Sequence, residues 1–168
     1  NIASADMKSL TTATLSALAT ASFAALTTDQ LVALGTAQFA AITSEQLGGM
    51  TVGQLGAIET ADLRALSVGA LAGLSSADVA ALTSTQVSSL TTAQIAALTS
   101  DQFKGLTTDD MSALTAAQVA VISSAQLGAL TTTQVAAIDA ADMKSLSTDA
   151  LAGLTNGDMA ALTNEQLQ

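Results

Sequence analysis

Two Lys–Ser neighbours, Lys8 with Ser9 and Lys144 with Ser145, and two acid pairs, Asp109 with Asp110 and Asp139 with Asp142, are the arrangements in this 168-residue chain that could do chemistry. A lysine can take the proton of a neighbouring serine, and paired carboxylates can divide the acid and base roles of a hydrolase. Each has a structural reading that fits better. Both serines stand where a repeating pattern calls for a small residue, and Asp110 and Asp142 stand where it calls for a helix-start acceptor. His, Cys, Tyr and Trp are absent, and the only basic residues are Lys8, Arg64, Lys104 and Lys144. A calcium loop needs clustered carboxylates around a glycine turn, and the chain has no such run. The reading is therefore of a non-enzyme, with no catalytic, cofactor-binding or metal-ligating residue assigned.

Composition narrows the class further. Apolar residues make up 49% of the chain, aromatics 2% and charged residues 11%, where a globular protein has roughly 25% charged. Such a chain builds a narrow core from small and medium side chains. The net charge of −10, with four scattered bases, repels phosphate backbones and excludes nucleic acid as a partner. A spanning helix needs about 18 apolar residues in a row, and Thr, Ser, Gln or Asp interrupts every run long before that, so membrane insertion is not expected. Without cysteine there are no disulfides or thiolate sites.

The elements that must position these side chains follow from one period. Written in eights from Thr27 the chain reads TTDQLVAL, GTAQFAAI, TSEQLGGM, TVGQLGAI, ETADLRAL, SVGALAGL. The frame runs without insertion through 20 complete octads over residues 3–162, and a partial octad fills 163–168, so residues 1–168 form a single array with no second domain. The fifth position is always apolar, and it holds Phe23, Phe39 and Phe103 together with Met7, Met111, Met143 and Met159. The eighth is apolar as well. The seventh is small except at Val121, and the first is Ser or Thr in 16 of 21 octads. The fourth is Gln in 11 and Asp in six.

A Ser or Thr followed three residues later by Gln is a capping box, in which each side chain satisfies a backbone N–H at a helix start. In TTAQIAAL, Thr91 is the cap, Gln94 its partner, and Leu90 with Ile95 the apolar pair that brackets the cap. Asp at the fourth position is read instead as a negative charge favoured by the helix dipole. A continuous helix would drift by about 80° per octad and spiral its apolar stripe out of any core. A strand would send the fifth and eighth residues to opposite faces. A short helix restarted in every octad satisfies both positions. The spacing predicts an all-α solenoid of one- to two-turn helices, with corners in β-region geometry and the fifth and eighth side chains forming an interior column. It leaves the number of octads per coil open, with about three as the working figure.

A longer repeat overlies the octad: ETADLRAL SVGALAGL SSADVAAL returns ten octads later as DAADMKSL STDALAGL TNGDMAAL. The run LTTAQIAALTSDQ resembles the octad arrays inside large secreted or surface proteins of bacteria, many of them adhesin-like. That resemblance implies an extracellular or cell-surface location and a scaffold role without an activity. The expected function is structural: a filament subunit or stalk segment that associates with itself end to end, its terminal octads meeting flanking repeats or other copies. The competing expectation is a binding module. Its hydroxyl pairs, such as Thr27-Thr28 and Thr107-Thr108, would face a periodic ligand such as ice or polysaccharide.

Overall fold

The computed structural model describes residues 3–168. Among them one 3-10 helix, Ser4–Ser9, is followed by nineteen α-helices of four to six residues, from Thr12–Ser16 to Asn156–Ala161, one to each octad, with no strand. Each helix ends because the chain leaves helical geometry at the eighth position and re-enters only after the first of the next octad. Between the helices Ser84–Ser89 and Thr92–Ala97, Leu90 has φ −57° and ψ 145° and Thr91 has φ −71° and ψ 157°. Two extended residues in succession make the corner. No described residue has positive φ, so the corner needs neither glycine nor a left-handed cap.

Helices this short are unstable alone, and their support comes from octads one coil away. The helix Ser84–Ser89 packs against Thr60–Ala65 and Thr108–Ala113, and Ser100–Lys104 packs against Ser76–Ala80 and Ser124–Ala129. Each helix thus lies on the one three octads earlier, so three octads complete a coil. The architecture is a three-sided helical solenoid, each side a stack of parallel short helices. This supplies the number that the octad pattern left open.

The fifth and eighth positions have distinct places inside it. In the first coil Met7, Leu15 and Phe23 are 0% exposed, whereas Leu10, Leu18 and Leu26 are half-buried. In the last coil Leu151, Met159 and Leu167 are 43%, 47% and 53% exposed. The fifth side chain is therefore covered by the coil that follows, whereas the eighth is half-buried at both ends, at Leu154 and Leu162 as at Leu10, Leu18 and Leu26, and is covered from both sides. The interior column expected from the octad pattern is present, and it is open at these three residues, on which no described coil is stacked. Elsewhere each fifth side chain is buried to 6% exposure or less, worth about 1.5–3 kcal/mol for each large apolar residue.

Small residues set the spacing between stacked helices. A Cβ built on Gly73 would lie 1.9 Å from the carbonyl oxygen of Ser44, and one on Gly153 would lie 2.2 Å from that of Ser124. Only glycine fits at either point, and the two points are ten octads apart.

Candidate functional site: the glutamine-bound corner

The most built-up polar arrangement in the molecule is the corner itself. At Thr91 the backbone N–H donates to Gln94 Oε1 at 2.9 Å, and the Gln94 N–H donates to Thr91 Oγ1 at 3.2 Å. The Thr91 hydroxyl in turn donates to Gln94 Oε1 at 3.2 Å. This is the capping box, and it orients the carboxamide so that its nitrogen points into the preceding coil. Gln94 Nε2 donates to the carbonyl oxygens of Leu63 and Leu66, each at 2.9 Å. Gln94 is 2% exposed. The two carbonyls belong to the corner directly beneath, where the end of the helix leaves Leu66 without a backbone donor and Leu63 with only the Leu66 N–H at 3.3 Å. One side chain therefore caps its own helix and ties the coil to the one before.

The same geometry recurs along the solenoid. Gln38 reaches Met7 and Leu10, Gln46 reaches Leu15 and Leu18, and Gln54 reaches Ala24 and Leu26. Gln86, Gln102, Gln118 and Gln126 each bind the fifth and eighth carbonyls of the octad four earlier. Gln134 and Gln166 bind the sixth and eighth carbonyls. The cap hydroxyl is dispensable for this. Gly35 has none, and its N–H still donates to Gln38 Oε1 at 2.9 Å.

Aspartate at the fourth position does more than was expected of it. Besides its charge it closes a box of its own. Asp78 accepts from the N–H and hydroxyl of Ser75, and Asp158 from those of Thr155. The reason is that a carboxylate supplies the acceptor oxygen as well as a carboxamide does. What it lacks is a donor for the coil beneath. Asp62 makes neither contact, since its N-cap is Glu59 and no side-chain cap hydrogen bond forms there. Burial, together with the neighbouring Glu59 carboxylate, pushes the Asp62 pKa up. Exposed Glu45 is pulled the other way by hydrogen bonds from its own backbone and from Thr43 and Ser44.

The residues whose types suggested chemistry are placed as follows. Ser9 donates to the Asp6 carbonyl at 2.6 Å, and Lys8 is exposed. Ser145 is half-buried beside an exposed Lys144. Asp110, 1% exposed, accepts from the Thr107 N–H at 2.9 Å, the Thr107 hydroxyl at 2.7 Å and the Ser84 hydroxyl at 2.9 Å. Its neighbour Asp109 is exposed. Asp139 accepts from the Ala141 N–H at 2.9 Å. The structure brings none of these pairs together around a shared cleft. Among the described residues no group of three or more Asp or Glu stands close enough to hold a metal ion, and no helix is long and apolar enough to cross a membrane.

A buried amide that ties each coil to the last, repeated along a continuous apolar column, defines a solenoid repeat protein. The model of the ALTTAQ repeat family matches residues 1–36, 55–92, 76–108 and 105–139, and the chain belongs to that family. Comparison with curated proteins gives no match.

Proposed function

We propose that this chain is a rigid structural rod, a stalk or spacer segment of an extracellular or cell-surface protein. On this reading it lengthens by stacking further coils of the same kind, from the same polypeptide or from a second copy. The observation that carries the reading is the glutamine-bound corner. Its polar groups are used up in joining coils, and its chemistry is the same in kind wherever a glutamine holds the fourth position, at Gln38 and Gln134 alike. The partner that best complements the exposed Leu151, Met159 and Leu167 is another coil of this repeat, whose apolar residues are left half-buried at the opposite end as Leu10, Leu18 and Leu26 are. The placement outside the cell rests on the resemblance to secreted octad arrays.

Electron micrographs and small-angle scattering of the purified chain test it. Stacked helices lie about 8–10 Å apart, so the chain should form a rod on the order of 60 Å long, with longer rods in multiples as concentration rises. A compact, near-spherical particle would remove the rod. A rod that stays single at high concentration would restrict lengthening to the same polypeptide.

One observation supports a second reading, a binding face. The three-octad coil aligns Thr12, Thr36, Thr60, Ser84, Thr108 and Thr132 along one side, whereas valine or alanine interrupts the same position on the other two. Thermal hysteresis or retention on a polysaccharide column would favour that reading over a plain spacer.

A further inference from the structure

Beyond the first coil, the glutamines are missing from three successive corners at two places. Across residues 59–82 the fourth positions are Asp62, Ala70 and Asp78, and across 139–162 they are Asp142, Ala150 and Asp158. None of these can donate to the coil beneath. Among the described residues, no side-chain hydrogen bond runs from 59–82 or 139–162 back to an earlier coil. The fourth-position bonds present there, such as those of Asp78 and Asp158, stay within their own octads. An isolated gap is treated differently. At Asp110 the missing amide is replaced by the Ser84 hydroxyl from the preceding coil, and Ser112 adds a bond to the Ala137 carbonyl at 2.9 Å.

The consequence shows in what holds each level of the rod together. A cut between Leu90 and Thr91 is spanned by Gln94, Gln102 and Gln118. Only one glutamine, Gln86, spans a cut between Ile58 and Glu59, and only Gln166 spans one between Ile138 and Asp139. What remains at both levels is apolar stacking and the close backbone approach that Gly73 and Gly153 permit. Apolar contact is non-directional, whereas the amide bonds lock register as well as adding stability.

We infer that the two levels are built-in seams, dividing the solenoid into a middle block ten octads long and two shorter flanking blocks that part from one another before they unfold. The fold then has a cooperative unit that ranks above the octad and the coil. A rod made this way yields at defined levels under tension or mild denaturant, and the blocks close again intact.

Native-state hydrogen exchange at increasing urea tests the inference on the whole chain. Residues 3–58, 59–138 and 139–168 should show three distinct denaturant dependences. The double variant Asp62→Gln with Asp78→Gln restores donors at two seam corners and should merge the first two segments. It should slow exchange in 35–58 by about tenfold, the effect of roughly one net hydrogen bond. Asp62→Asn with Asp78→Asn removes the same charges without the reach, and should leave the boundary in place. The converse variant, Gln118→Ala with Gln126→Ala, joins Asp110 to make a further glutamine-free coil, and should open a new boundary near Thr107. One common denaturant dependence in the unaltered protein would overturn the inference. So would equal effects of the Gln and Asn pairs, or a Gln118/Gln126 variant with no new boundary.

Discussion

Gln94 and Leu66 stand 28 residues apart in sequence and 2.9 Å apart in space, the side-chain amide of one donating to the backbone carbonyl of the other. The bond crosses from one coil to the next, and it falls at a point where a helix has just ended. A carbonyl released by the end of a helix would otherwise be destabilising wherever water cannot reach it. The solenoid satisfies it with the side chain that caps the following helix, so local and long-range order share one residue.

The first prediction follows directly. Gln94→Ala should destabilise the protein by about 2–4 kcal/mol, since it removes a cap acceptor, leaves the Leu66 carbonyl without a donor and leaves Leu63 with only the Leu66 N–H. Gln94→Glu keeps the acceptor and loses the donor, and its loss should depend on pH. A glutamate carboxylate at this buried corner would have a folded-state pKa above its unfolded value. Stability should therefore be highest at acid pH, where the protonated side chain can donate, and fall as pH rises through the folded pKa. Chemical denaturation from acid to neutral pH checks both variants.

Whether a capping box was present could be read from the spacing of Thr91 and Gln94. The second job of the glutamine could not, because a box uses only the carboxamide oxygen. Asp, an acceptor without a donor, stands at the fourth position in six octads, so the residue types found there leave no trace of the second job. The size of the coil was hidden for a different reason: an octad has the same internal pattern whichever octad it stacks on. Only features spanning coils carry that information, such as Gly48, whose Cβ would lie 2.3 Å from the Gly73 carbonyl oxygen. The fate of Met159 was hidden too, since its octad is like any other and its exposure depends on what lies above it.

Glycine substitutions should separate by sign. At Gly73 an added Cβ meets the Ser44 carbonyl oxygen at 1.9 Å, whereas at Gly56 it meets nothing within 4 Å. Gly73→Ala should cost about 1–3 kcal/mol through forced separation of two helices. Gly56→Ala, within the helix Val52–Ala57, should stabilise by about 0.5–1 kcal/mol through reduced freedom of the unfolded chain. Thermal melting of the two variants decides it; equal effects would mean that the close approach is not structural.

Insertions should follow the hierarchy of periods. One residue after Leu90 displaces every later fifth and eighth side chain from the core, and should cause the largest melting loss. One whole octad at the same place keeps the core but parts Ser84 from Asp110, whose bond spans 26 residues. The loss should be about 1 kcal/mol, the worth of one such bond. Three octads placed after Leu82 keep that bond and return every later octad to its own side of the rod, the inserted coil taking over the contacts that Gln86, Gln94 and Gln102 make with the coil beneath, and should be close to neutral. Equal losses for all three would refute a coil of three octads.

Asp62 gives a pH dependence of its own. Its folded pKa is raised, first by burial and then by Glu59, so between the unfolded and folded values the native state binds more protons than the unfolded chain. Stability therefore declines as pH rises through that interval, and the whole deficit is present at neutral pH. Asp62→Asn should be more stable than the unaltered protein at neutral pH, and the difference should vanish below the ordinary carboxylate range. A difference that persisted in strong acid would place its origin elsewhere than in ionisation.

The tight pairing of Gly48 with Gly73 returns ten octads later as Gly128 with Gly153, and the two lengths involved do not divide evenly. Ten octads carry the chain through three full coils and one octad more. Each recurrence thus lands on the neighbouring side of the rod, a third of a turn round from the last. Features tied to the longer repeat wind about the axis like a screw thread and return to the same side only after three blocks. A rod marked in this way has no permanent front or back. Anything that grips it by these features can do so from any direction, but finds only one grip in three on the side it approaches.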